Sequence, residues 1–233
     1  GLQLAALSLK RPGSHKNQVE NISGASQFIA DYLIDEVLSN QPKEIHDFLL
    51  VTSILEQFSA PLCAAVSGFE NCVGILESLE KSNLFLVPLD AEGIWYRYHH
   101  LFRDLLLSRL SNQMPGLDKE LHNLACDWYR ENGKTEQAIY HALEGKAYNV
   151  AVELIIEIAD QTWTDGRLST LLYWIDSIPS KVVRQFPQVG NYHVMALYLL
   201  GEYYEAEKRI DLLENHFDIS PNTQKSKSLN PHE

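Results

Sequence analysis

The chain lacks most of what marks a secreted, metal-binding or membrane-spanning protein. Its 233 residues include only three cysteines, Cys63, Cys72 and Cys126. They form no CxxC pair and no Cys/His cluster with ligand spacing, so no metal site and no disulfide framework are expected. Each stands in an apolar helical context, where a free thiol packs as a small hydrophobe. A cytoplasmic, reducing location is the expectation. No apolar run reaches membrane-spanning length, because glutamate interrupts VAVELIIEIA twice. The opening GLQLAALSLKRPG has no basic region ahead of its apolar stretch, so it does not fit a secretory signal. There is no G-x-x-x-x-G-K-[ST] phosphate loop and no nucleophile elbow. No catalytic residue is therefore assigned, and an enzyme is not expected. Cations are also scarce, with 19 Lys and Arg against 31 Asp and Glu and a net charge of −12. Such a balance argues against a broad contact surface for nucleic-acid phosphates.

What is present is an ordinary globular composition, 45% hydrophobic and 21% charged. The length suits one or two domains. The opening reads as the last turns of a helix, without an initiator methionine, and implies a piece of a longer protein. Residues 1–11 are taken as the end of a preceding helical domain and 12–26, PGSHKNQVENISGAS, as a polar linker. From Gln27 to Ser39 the apolar spacing is helical. Pro42 suits the start of a second helix, with Ile45, Phe48, Leu49, Thr52 and Leu55 facing inward. Ser59 can cap a short helix with Pro61 just inside it. A fourth helix over roughly 70–82 should bury Val73, Leu76 and Leu79.

The period then changes. LFLVPL and IWYRYH are rich in aromatic and branched residues, and Asp-Ala-Glu-Gly between them signals a turn. Pro88 assigns the first strand to an edge. Ile94, Tyr96 and Tyr98 should share one side. From His100 the spacing is helical again, with Leu101, Leu105 and Leu106 apolar. Several helices, a hairpin and a closing helix over 27–112 make a winged helix. Beyond it, 113–217 is helical throughout and repeats itself. Gly133, Gly166 and Gly201 recur at 33 and 35 residues, near the period of tetratricopeptide-like hairpins. WYRENGKTEQA and LYLLGEYYEA both place Ala five residues after the Gly, whereas the middle unit has none there. The arm's many aromatics, from Trp128 to Tyr204, should lie buried between hairpins, with a binding groove as the rival reading. Glu153 and Glu157 share a helix face without a nucleophile and read as solvated. The tail 218–233 is expected to be disordered.

His99 and His100 sit where strand turns to helix. They can be a packed structural pair, which is the default. They lack further ligands for a metal. They can also donate to an anion at the helix N-terminus, near Arg97 and Arg103. DNA reading by the hairpin is disfavoured. Residues 27–112 hold 12 acidic and 5 basic side chains, and the helix in the recognition position, ENCVGILESLEKS, is acidic.

The runs SILEQFSAPLCAAV, LESLEKSNLFLVPLD and WYRYHHLFRDLLLSRL resemble the winged-helix region of MalT-type large ATP-binding regulators of the LuxR family, which are signal-transduction ATPases. The resemblance extends to about residue 217 and is most specific over 84–110. It implies a mainly α fold, a winged-helix domain with one β-hairpin followed by a tetratricopeptide-like α-helical hairpin array. It also implies a regulatory role that couples nucleotide state to inducer-dependent self-association. In such proteins a histidine at this corner contacts the ADP phosphates. Laid on the Met-His-Asp motif that the related resistance-type ATPases carry there, Tyr98 matches the Met, His99 the phosphate contact and His100 the Asp, and the last is a departure. His99 is the favoured contact, with His100 beside it. ATP or ADP would belong to the full-length protein and no cofactor to this stretch alone. The implied partners are an upstream ATPase domain and a downstream sensor solenoid of the same protein, with possible self-association, and neither DNA nor a membrane. The alternative is a stand-alone helical-repeat interaction module that binds no nucleotide.

Overall fold

A computed structural model describes Leu38, residues 41–82 and residues 85–217. The expected helical end (1–11), the linker (12–26), the helix Gln27–Ser39 apart from Leu38, and the tail (218–233) lie outside the described residues. So does Leu84 at the head of the expected hairpin. The fold is mainly α with one two-stranded sheet. It clusters into two compact units that divide between Pro115 and Gly116.

In the first unit, α1 (Lys43–Thr52) follows Pro42, whose fixed φ and missing N–H suit a helix start. Phe48, Leu49, Thr52 and the following Leu55 are buried as their spacing requires, while Ile45 is only half-buried. Next comes α2 (Ala60–Ser67). Ser59 occupies its N-cap position, but the hydroxyl makes no capping bond, contrary to expectation. Phe58 sets the entry instead, through paired 2.8 Å backbone bonds with Tyr96. Gly68, at φ 72°, ends the helix in the left-handed region. After it comes α3 (Cys72–Lys81), capped by Asn71 accepting from the Gly74 N–H at 3.1 Å. The two helices bend by 117°, within the range of helix-turn-helix pairs. The stripe that α3 buries is Cys72, Ile75, Leu76 and Leu79. Val73, expected inside, is 59% exposed, because one residue past Cys72 lies about 100° around the helix.

Strands β1 (Leu86–Pro88) and β2 (Tyr96–Tyr98) pair antiparallel with Leu86 opposite Tyr98 and Pro88 opposite Tyr96. Phe58 borders β2 on its other side, so β1 is the edge, where Pro88 can be tolerated. The ribbon is shorter than its apolar run suggested. The Asp90 carboxylate accepts from the N–H groups of Ile94 (2.7 Å) and Trp95 (2.9 Å) and draws both into the turn. Ile94 is consequently 55% exposed rather than aligned with buried Tyr96 and Tyr98. Helix α4 (His100–Gln113) closes the unit and buries Phe102, Leu106 and Leu110, a step of four. Leu101, expected inside, faces outward.

The second unit is a helical array. Its members are α5 (Leu117–Glu131), α6 (Thr135–Glu144), α7 (Tyr148–Thr164), α8 (Leu168–Asp176), a short α9 (Ser180–Val183), α10 (Pro187–Leu199) and α11 (Tyr203–Phe217). The most extensive packing joins α5 to α6, α10 to α11 and α6 to α7, and α8 continues the stack between α7 and α10. Gly133, Gly166 and Gly201 all take positive φ. After each, the next N–H reaches back five residues: Lys134 to Tyr129, Arg167 to Thr162 and Glu202 to Leu197. This is a Schellman turn at each of the three glycines. Lys146 takes the same place after α6 at φ 59° without being glycine. Five residues beyond the glycines, Ala138, Leu171 and Ala206 are all buried, so the middle unit keeps the position and changes the residue. Burial of the aromatics fails as an expectation. Tyr129 and Trp174 are buried, whereas Tyr173, Tyr198, Tyr203 and Tyr204 are exposed. Ala138, Ala142, Ala151, Ala159 and Ala196 fill the seams between helices, and small residues leave rings no room there.

The cysteines are buried. Burial pushes the Cys63 thiol well up and the Cys126 thiol up to about 11, so neither behaves as a reactive thiolate. No single described helix is long and apolar enough to cross a membrane.

Candidate functional site

The corner at His99 is built outward from Tyr98. That ring is fully buried against Phe58 and Phe102. Thr52 Oγ1 donates to the Phe48 carbonyl at 2.7 Å and has only one proton. The Tyr98 hydroxyl, 2.7 Å from the same Oγ1, must therefore be the donor. Strand β2 is thus bolted to α1 immediately before the chain turns. Next, the His99 N–H donates to the Phe85 carbonyl at 2.8 Å, and the His99 carbonyl accepts from the Arg103 N–H at 3.0 Å to open α4. Phe85 takes a positive φ of 55° there and stacks on Phe102, with centroids 4.9 Å apart. Both sides of the His99 backbone are held.

The imidazoles stay outside this core. His99 is half-buried and His100 exposed, and the rings stack with centroids 4.4 Å apart at 30°. Neither His99 nor an acidic residue caps α4 through a side chain. Burial, then the neighbouring His100 and Arg97, lowers the His99 pKa below the ordinary histidine value. His99 is therefore neutral at pH 7 and carries one ring N–H. The N–H groups of His100, Leu101 and Phe102 precede the first helical bond and lie at the positive end of α4. Together these groups can receive an anion. Arg103, paired with Arg97 at the sequence level as a neighbouring cation, has a different task. Its Nε donates to the Ser53 carbonyl at 3.0 Å and its Nη2 to the Ile54 carbonyl at 3.3 Å. It clips α4 to the end of α1. Nothing in the local spacing of Arg103 announced a bond across 50 residues.

The face presented by α3 and the turn is acidic. A groove of about 490 Å³ there is bordered by Glu77, Glu80 and Glu92 beside exposed Val73 and Ile94. Tyr96 donates to Glu80 at 3.1 Å. Glu153 and Glu157 on α7 are exposed, as expected of a solvated face. Among the described residues no group of three His, Cys, Asp or Glu could hold a metal ion. A second histidine pair, which sequence patterning did not find, lies in the arm. His122 on α5 and His141 on α6 are buried with their Nδ1 atoms 2.8 Å apart. Their 19-residue separation matches no recurrent ligand spacing, so there was no signal to find.

Residues 34–118 match the model of the MalT winged helix domain. The chain is 34% identical over 182 residues to the serine/threonine-protein kinase PknK of Mycobacterium tuberculosis, covering 78% of this chain and 16% of that protein. It is 31% identical over 195 residues to the HTH-type transcriptional regulator MalT of Vibrio parahaemolyticus, covering 81% and 21%. With the MalT of Klebsiella pneumoniae the identity is 27% over 224 residues, covering 95% and 25%. The chain thus spans a quarter or less of the length of these relatives.

Proposed function

The chain carries a MalT-type winged helix domain at residues 34–118, and on that premise we propose that it is the regulatory segment of a bacterial LuxR-family transcriptional activator of the signal-transduction ATPase type. It couples nucleotide state, held with an ATPase domain of the same polypeptide, to inducer-dependent self-association through a sensor solenoid. The relatives support a relay rather than an output. One is named a kinase and others are named HTH-type regulators, yet each matches more than three quarters of this chain. A cytoplasmic location follows from the regulatory role.

The observation that carries the nucleotide part is the corner itself: a half-buried, neutral His99 at a helix start without acidic neighbours in its first turn. His99 donates its ring N–H to an ADP phosphate oxygen, and His100 stacks behind it. A phosphate there stabilises the protonated imidazole and opposes the lowering that burial imposes, so ADP binding takes up protons. ADP retention accordingly tightens as pH falls towards 6. Replacing His99 by Ala in the intact regulator should weaken ADP retention and raise inducer-independent transcription, whereas unchanged retention contradicts the assignment. The segment does not itself read DNA, because α3 offers Glu77 and Glu80 where a duplex would require cations. The second reading, a helical-repeat interaction module without nucleotide, draws on the exposed Tyr198, Tyr203 and Tyr204. An intact protein that never retains ADP would favour it.

A further inference from the structure

One hollow in the arm gathers cations around apolar walls. It lies among α9, α10 and α11, with a volume of about 150 Å³, and Val183, Leu212 and Leu213 form its walls. Gly190 on α10 lets Leu213 of α11 pack close beside the hollow, because a Cβ there would stand 2.8 Å from the Leu213 Cδ2 atom. Arg184 and Arg209 border it from opposite elements, and His193, only 3% exposed, forms part of its lining. The Arg184 Nε donates to the Ser180 carbonyl at 3.3 Å, which orients the rest of its guanidinium. Asp176 on α8 is shared: its Oδ1 accepts from His193 Nε2 at 3.1 Å and lies 3.6 Å from Arg209 Nη2. Asp176 thus pairs with Arg209, Arg184 adds a second guanidinium to the lining, and with His193 neutral the hollow is left with a positive charge. That is unusual on a chain whose net charge is −12. The walls favour an apolar body, and the two Arg donors suit a carboxylate.

We propose that this hollow binds a small organic anion, with a single ring or short branched chain against Val183 and Leu213 and its carboxylate between Arg184 and Arg209. Its size fits: a dry cavity of this order accepts one benzene-sized ring. The site stands apart from the histidine corner and does not depend on the nucleotide assignment.

The test is an NMR titration of the whole chain with benzoate, and with benzyl alcohol as an uncharged probe of similar shape. Benzoate should saturate with a Kd of about 1 mM or tighter, move the His193 ring resonances and bind at least about tenfold better than benzyl alcohol. Arg184→Met should weaken benzoate about tenfold and leave benzyl alcohol little changed. Val183→Phe, with the helical signal of the chain retained, should block both by filling the hollow. Equal binding of the two probes overturns the proposal, as does benzoate binding that ignores Arg184→Met. So does a failure of benzoate to saturate by about 20 mM with the folded wild-type chain. Arg209→Gln supplies a second charge variant should Val183→Phe not fold.

Discussion

A single hydroxyl shows how finely the corner is held. Tyr98 donates to Thr52 with the ring fully buried, so Tyr98→Phe removes one bond and leaves the packing. The expected cost is about 1 kcal/mol in urea unfolding of the chain, with no loss of helix signal. His193 gives a pH-dependent counterpart. Burial lowers its pKa, against the opposing pull of Asp176. The unfolded imidazole titrates near 6.5, so the neutral buried ring contributes fully above that value, and its contribution is lost as pH falls towards the folded value. The urea midpoint of the arm should drop between pH 7.5 and pH 5.5, and His193→Gln should flatten that slope. At this scale the sequence was only partly legible. His99 and His100 could be picked out because they stand where the hydrophobic period changes. Arg103, His122 with His141, and the Asp176 cluster could not, because each depends on a partner brought close by tertiary folding.

Elements were read most reliably where periodicity is long. The helices of the arm and their glycine turns follow from apolar spacing and recurrent Gly, and the structure returns them with the same left-handed turn each time. Faces were less secure. On α3 and α4 the inner stripe is displaced from the one expected, because a helix of two or three turns permits several apolar registers and only the packed partner selects one. The hairpin shortened for a similar reason, since Asp90 captures Ile94 and Trp95 in the turn. The turns themselves allow a paired prediction. At Gly133 (φ 67°) a Cβ meets nothing within 4 Å, so Gly133→Ala isolates backbone strain and should destabilise the arm by about 1 kcal/mol. Lys146 holds the equivalent left-handed place at φ 59°, so Lys146→Gly should stabilise the arm by a comparable amount, about 1 kcal/mol. Denaturation midpoints that moved the same way in both variants would refute this account of the turns.

At the scale of the molecule, two units of different build share one chain. The first has the frame of a DNA-reading winged helix, with α2 and α3 at 117° and a hairpin after them, but its outward helix and turn carry carboxylates. The excess of Asp and Glu over Lys and Arg in the sequence is in keeping with that acidic face. The second is a stack of helical hairpins whose seams are lined by alanine and whose outer face carries tyrosines. A protein named a kinase and one named an HTH-type regulator each match more than three quarters of this chain. We propose that His99, and not its stacked neighbour, meets the nucleotide. The most direct test is the ADP dissociation rate of the intact regulator, compared among wild type, His99→Ala and His100→Ala. Loss of a charge-assisted hydrogen bond predicts release about tenfold faster or more for His99→Ala, and a much smaller change for His100→Ala. Release at the wild-type rate from His99→Ala, or an equal acceleration in both variants, would contradict it.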